Sequence, residues 1–225
     1  GLGALAPNGN DLDSFWDALV NGRSGIGPIT KFDASEHRAQ IAGEIKGFDA
    51  EAVLDRKDVR RNDPFTHYAI YVAKQATEHG GLDMEAVDAE RVGVIWGSGI
   101  GGIQTHEEQH TILMDKGPKR VSPFYVPMMI SDMAAGMISM VLGAKGPNYA
   151  TVSACSSAAH ALGEAARKIQ YAEADVMVAG GSEAACTPIS VAGFASAKAL
   201  STRNDEPERA SRPFDAERDG FVLGE

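Results

Sequence analysis

Three short apolar runs, RVGVIWGSG (91–99), YATVSA (149–154) and ADVMVAGGSE (174–183), constrain the fold more than anything else in the chain. Each has the length of a strand and passes into small residues at its end. Stretches with helical spacing separate them. Strands that are apolar on both faces belong in a parallel sheet covered by helices on both sides. The pattern therefore predicts an α/β fold with a largely parallel central sheet.

The helical stretches are read from the spacing of their apolar residues. Asn10 is the expected cap of a helix in which Leu12, Phe15, Trp16, Leu19 and Val20 recur. Residues 51–79 read as helical, with Phe65, Tyr68, Ala69 and Val72 on the apolar face. GGIQTHEEQHTILMDKG (101–117) reads as a polar helix ending at Gly117. Residues 128–142 form a Met- and Ala-rich helix with almost no charge, expected to be buried. A further helix is expected over 155–171, and loops over 21–33 and 201–215. No internal repeat interrupts this order. The opening GLGALAP reads as a turn that follows a strand, and the closing RDGFVLGE as a strand that runs on. The expectation is a segment of a longer protein.

Composition excludes several classes of function. A net charge of -10 argues against nucleic-acid binding, which needs a basic surface. No run approaches the ~20 apolar residues of a membrane-spanning helix, and the first residues lack the basic and apolar regions of a signal peptide. Cys155 and Cys186 read as free thiols of a reducing compartment, so the cytoplasm is the expected location.

Three motifs have chemistry attached to them. GSGIGG (97–102) fits G-x-G-x-x-G after a strand, but the second strand ending in an acidic residue that a dinucleotide site requires is missing. Glycines there also simply let the chain turn or two backbones approach. HEEQH (106–110) puts two imidazoles on one helix face, as in zinc hydrolases, yet no third ligand follows in H-x-x-G-x-x-H spacing. The helix is also strongly polar, and a solvated face is the preferred reading. Cys155 lies between the strand NYATVSA and a helix beginning Ser156, Ser157, Ala158. Free amides and the dipole at a helix N-terminus favour an anion, the form in which a thiol is nucleophilic. Small neighbours let a carbonyl approach the sulfur, and the same amides suit an oxyanion. A small cysteine that only packs fits the same residues, so both readings stand at this level. His160 falls about 140° around the helix from Cys155 and is no base for it. Cys186 has no such setting and reads as structural.

The stretches GLGALAPNGN, GRSGIGPITKFD, RKDVRRNDPFTHYAI, GSGIGG, VSPFYVP, SACSSAAHALGEAARKI, AEADVMVAGGSEA, GFASAKALSTRND and SRPFDAERDGFVLGE span the chain in register. On these residues the chain resembles the β-ketoacyl-[acyl-carrier-protein] synthases, the condensing enzymes of fatty-acid elongation. The resemblance implies a thiolase-like fold of two similar halves, each a five-stranded, mostly parallel sheet with helices on both faces. Residues 1–225 would be most of the first half. It also implies that Cys155 accepts an acyl chain as a thioester, which malonyl-carrier protein then extends by two carbons after losing carbon dioxide. No cofactor and no metal are implied. By matched position Ile100, Ala154 and Phe194 belong to the acyl pocket. Tyr125 stands at a position that reaches the partner's pocket in a homodimer, where some members have Phe, so its hydroxyl needs a polar partner or water. The two histidines and the lysine that handle the malonyl group lie beyond Glu225 in the family, so the segment alone is expected not to condense.

One basic cluster stands out. Lys57, Arg60 and Arg61 share a helix face, with Arg56 beside them. Read alone, this is better taken as a solvated helix of mixed charge with Asp55 and Asp58, since exposed charges usually do little. Under the resemblance it joins Lys119, Arg120 and Lys198 as the docking surface for the acidic acyl carrier protein, acyl- or malonyl-loaded. Two other functions share the motifs. A polyketide ketosynthase has the same cysteine, and a chain-length factor, a non-catalytic dimer partner, lacks it.

Overall fold

The computed structural model describes residues 1–225. The elements run α1 (Leu12–Val20), β1 (Gly27–Pro28), β2 (Ile41–Ala42), α2 (Ala50–Val53), α3 (Arg56–Arg61), α4 (Pro64–His79) and β3 (Val92–Gly97). They continue as α5 (Ile103–Lys116), α6 (Tyr125–Met129), α7 (Met133–Leu142), β4 (Asn148–Thr151), α8 (Ser157–Gln170), β5 (Val176–Gly181) and α9 (Pro188–Ser196). Two compact units divide the chain: Gly1–Gly3 with Asp49–Glu183, and Ala4–Phe48 with Ala184–Glu225.

The first unit is built on a parallel sheet of order β4-β3-β5. Ile95 lies opposite Tyr149 and Ala179, and with Met177 these residues form one face, against which Ala161 and Ala165 of α8 pack. Asn148 points the other way by the alternation of the strand, and its Nδ2 donates to the Ala135 carbonyl of α7 at 2.9 Å. The helix α7 therefore covers the opposite face, and α4 packs on α7. The three expected strands thus make a parallel sheet between helices. Where the resemblance implies five strands, the continuous ladder holds three; Phe221 and Gly224 of the expected terminal strand make single bridges, to Leu200 and Gly43 of their own unit.

The second unit carries the antiparallel pair β1–β2, in which Gly27 faces Ala42. Buried carboxylates organise it. Glu44 accepts from the Thr30 amide and hydroxyl and the Lys31 amide. Glu225 pairs with Lys31 Nζ at 2.5 Å and accepts from the Ile45 amide.

Helix boundaries depart from the periodicity for local reasons. The helix α1 is capped by Asp11, not Asn10: Asp11 Oδ1 accepts from the Ser14 amide at 2.8 Å, and Ser14 Oγ accepts from the Asp11 amide. Only Ala18 of α1 is buried, and Trp16, Leu19 and Val20 are exposed. The single helix expected over 51–79 is three, each with its own aspartate cap, Asp49, Asp55 and Asp63. Pro64 forces the last break, because it drives Asp63 to extended backbone (φ -78°, ψ 156°) and then serves as the first helical residue. Residues 128–142 likewise divide at extended Ile130. In α7, Ala134, Ala135, Met137 and Ile138 are buried as expected, whereas Met140 is exposed.

Asp63 links two helices of the first unit. Fully buried, it caps α4 through the Phe65 amide, and its Oδ2 accepts from the Thr105 amide at 2.9 Å and hydroxyl at 2.7 Å. Burial holds its carboxyl above the ordinary 3.8, against the opposing pull of the Thr105 and Phe65 donors. Asp63→Ala strands these donors and is expected to cost about 1–3 kcal/mol in urea unfolding. Because the folded pKa is raised, the carboxyl's contribution to stability is full below 3.8 and is lost as pH rises through the folded value. Asp63→Asn, which does not titrate, should lack that loss in unfolding series run at successive pH values.

Candidate active site

Cys155 stands just past the C-terminal edge of the parallel sheet, where ligands gather in open α/β folds. It is exposed. It sits not in the first turn of α8 but in a 3₁₀ turn, Ala154–Ser156, between β4 and α8. Ala154 adopts φ 52°, a left-handed conformation uncommon for a residue with a side chain. Ser157, itself buried, secures the turn: its Oγ donates to the Ala154 carbonyl at 2.7 Å and accepts from the Ser153 amide at 2.9 Å. Its carbonyl accepts from Thr151 Oγ1 at 2.8 Å. The Ser156 and Ser157 amides close onto the Ser153 and Ala154 carbonyls, leaving the Cys155 amide without a backbone partner. His160 is committed to Ser153 Oγ at 2.6 Å.

The glycines of GSGIGG bring backbones together. A Cβ on Gly97 would lie 2.4 Å from the Ser157 carbonyl carbon, and one on Gly102 2.1 Å from the Met128 carbonyl oxygen. The amides of this turn already have an anion. Glu183 Oε2 accepts from the Gly99 amide at 2.7 Å, and Oε1 accepts from Ser98 Oγ at 2.9 Å and the Ile100 amide at 3.3 Å. A protein carboxylate thus fills the place a phosphate would take in a dinucleotide site. Ile100 follows directly, partly exposed.

HEEQH also has a local use. His106 Nδ1 and Tyr125 Oη are 2.7 Å apart, and Gln109 Oε1 accepts from the Ser122 amide at 2.7 Å. The helix α5 thereby holds the 122–125 segment, so this face is more than solvated. His110 stacks on His106 at 6.3 Å, and no third His, Cys, Asp or Glu completes a metal-holding group with them. His106 is the polar partner that the Tyr125 hydroxyl requires.

On α3, Arg56, Lys57, Arg60 and Arg61 are exposed and, with Asp55 and Phe124, line a depression of about 440 Å³. Arg61 lies over the Phe124 ring at 4.9 Å. The Asp55 carboxylate is turned to capping the Lys57 amide at 2.7 Å, and Arg56 reaches only Glu51, at 4.0 Å. Lys119 and Arg120 are exposed on a 3₁₀ turn after α5. Phe194 and Lys198 belong to the second unit: Phe194 packs edge-to-face on Phe221 at 5.3 Å, and Lys198 is exposed with φ 57°. The residues that sequence reading missed are Glu183, Ser157 and His106. Glu183 acts on a turn that only the fold brings near, His106 was read only as half of a metal motif, and Ser157 is one of several serines around the cysteine.

A parallel sheet between helices, with an exposed thiol where a strand hands over to a helix, belongs to the thiolase-like α/β class. Residues 1–225 match the family model described as beta-ketoacyl synthase, N-terminal domain, and the chain belongs to that family. It is 53% identical over 225 residues to a 3-oxoacyl-[acyl-carrier-protein] synthase 2 of Synechocystis, covering all of this chain and 54% of that protein. A crystal structure of a beta-ketoacyl synthase from Burkholderia phymatum superposes with a TM-score of 0.87 at 30% identity, over 99% of this chain and 55% of that one. The ishigamide ketosynthase/chain length factor shares the fold, with a TM-score of 0.88 at 22% identity over 99% of this chain and 54% of that one. The chain spans about half the length of these relatives. No helix is long and apolar enough to cross a membrane.

The two thiols differ sharply. Cys186 is buried, and burial pushes its thiol up to about 12. At pH 8 iodoacetamide should alkylate Cys155 in the native protein and reach Cys186 only after unfolding, as read by peptide mass. Raising the pH to 9 should leave Cys186 unlabelled.

Proposed function

We propose that this chain is the acyl-accepting half of a 3-oxoacyl-[acyl-carrier-protein] synthase. The observation that carries the reading is Cys155, exposed on a pinned turn beside its own unpartnered amide, in a chain that matches the family from end to end. The Cys155 thiolate attacks the acyl thioester carbon of acyl carrier protein, the carrier's thiol leaves with a proton, and a new thioester forms on Cys155. The Cys155 amide is one donor to the oxyanion of that step. Malonyl-carrier protein then releases carbon dioxide, its carbanion forms a carbon–carbon bond at the thioester carbon, and the Cys155 carbon–sulfur bond breaks. The residues that serve the malonyl group lie outside 1–225, so this segment alone should give no β-ketoacyl product.

Ile100 and Ala154 line the acyl pocket in this reading, and Phe194 joins them by matched position. Tyr125 contributes across a homodimer, with its ring oriented by His106. The basic face of α3, with Lys119, Arg120 and Lys198, receives the acidic carrier protein. Free cations in a chain of net charge -10 favour that use.

Incubating the full-length protein with acyl carrier protein should add one acyl mass to the Cys155 peptide, and Cys155→Ala should abolish it. No increment on folded wild-type protein would point instead to a binding role like that of a chain-length factor. Reversing Lys57, Arg60 and Arg61 to Glu should lower the acylation rate from carrier protein at low salt by about tenfold or more. The rate from a small acyl thioester should not change.

A further inference from the structure

We infer that Glu183 is a positioning residue that sets the acyl-length selectivity of Cys155, by fixing the turn that carries Ile100. This inference rests on the proposed function above. The backbone donors of the turn are all engaged. The Ser98 amide donates to the Thr151 carbonyl of β4 at 3.3 Å, the Gly99 and Ile100 amides to Glu183, and the Gly101 amide to Ser98 Oγ at 3.0 Å. Ser98, buried, donates its hydroxyl hydrogen bond to Glu183 Oε1. One carboxylate therefore holds residues 98–100 directly and residue 101 through Ser98.

That carboxylate is itself held in place. It follows β5 by two residues, and the intervening Ser182 is fastened to β3 twice: its amide donates to the Gly97 carbonyl at 3.1 Å, and its Oγ accepts from Trp96 Nε1 at 2.9 Å. The turn it holds lies against the cysteine's neighbour, since a Cβ on Gly99 would come within 3.5 Å of the Ala154 carbonyl oxygen and 2.8 Å of Glu183 Oε2. Glu183, the Ile100 turn and the residue before Cys155 thus form one packed set at the sheet edge. Ile100 is partly exposed and gains its position from its backbone, so the anion under that backbone decides where its side chain stands. A glutamine there offers one acceptor and places an N–H donor against donors, whereas an aspartate keeps the charge but shortens the reach.

The test measures acylation of Cys155 in the full-length protein with octanoyl- and palmitoyl-carrier protein, for wild type, Glu183→Gln, Glu183→Asp, Ile100→Ala and the Glu183→Gln/Ile100→Ala double variant. Glu183→Gln should change the ratio of the two rates by about tenfold, the scale on which small displacements in a reacting site act. Glu183→Asp should change it less. In the Ile100→Ala background the effect of Glu183→Gln should vanish, because both act through one side chain. A merely structural role would lower both rates together and act additively. If Glu183→Gln does not fold, the same comparison is made with Glu183→Asp, again alone and with Ile100→Ala. An unchanged ratio in a folded variant, with wild type acylated normally, overturns the inference and leaves the proposed function standing. Absence of acylation in wild type overturns both.

Discussion

Cys155 is presented to solvent because nothing projects from the end of β3. At Gly97 a Cβ would stand 2.4 Å from the Ser157 carbonyl carbon, and at Gly181, its neighbour on β5, 2.6 Å from the Ala158 Cβ. The first turn of α8 therefore rests directly on the sheet, at a separation that side chains would forbid. This contact fixes the distance between strand ends and helix start. The 3₁₀ turn carrying the thiol has to fit within it, and Ala154 takes a left-handed conformation to do so. Such a conformation costs of order 1 kcal/mol in a residue with a side chain. Ser157 offsets that cost through the hydrogen bonds it makes on both sides of the turn.

The same economy governs the polar groups around the sheet edge. A strand that ends in glycines exposes a row of amides, and elsewhere such rows hold phosphates. Here Glu183 occupies them. Asp63 does the equivalent service for the start of α5, holding the Thr105 amide and hydroxyl while capping α4. Both are carboxylates whose oxygens accept from backbone amides and from one hydroxyl each. His160, the histidine nearest to the thiol in sequence, is bound to Ser153.

How far this was legible in the sequence depends on the range of the interaction. The three parallel strands were plain from their apolar runs, most of all β3, which is buried along its whole length, whereas β4 and β5 are only partly so. The Gly117 stop and the glycine turn were also plain, because glycine chemistry is local. The helix starts at Asp55 and Asp63 were open to reading from their caps and from Pro64, yet apolar spacing alone ran across them. Glu183, His106 and Ser157 were out of reach for different reasons. Glu183 and the turn it holds are more than eighty residues apart, and their meeting depends on β3 and β5 pairing in register. His106 and Tyr125 lie on different helices. Ser157 is one serine among several, and only its burial distinguishes it.

In the fold, the motifs that first invite a cofactor or a metal pack against and clasp neighbouring segments of the first unit. HEEQH works through His106 and Gln109, which clasp Tyr125 and the Ser122 amide. GSGIGG works through its missing side chains, which admit Met128 and Met129 on one side and the α8 start on the other. Both segments meet there, since the Gly102 amide donates to the Met129 carbonyl at 2.9 Å, at the end of the helix that begins with Tyr125. A shift in the glycine turn is therefore transmitted to α6, and a shift in α5 reaches the same helix through Tyr125. The glycine turn, α5 and α6 are thus tied together by hydrogen bonds that run through Gly102, Met129, His106 and Tyr125.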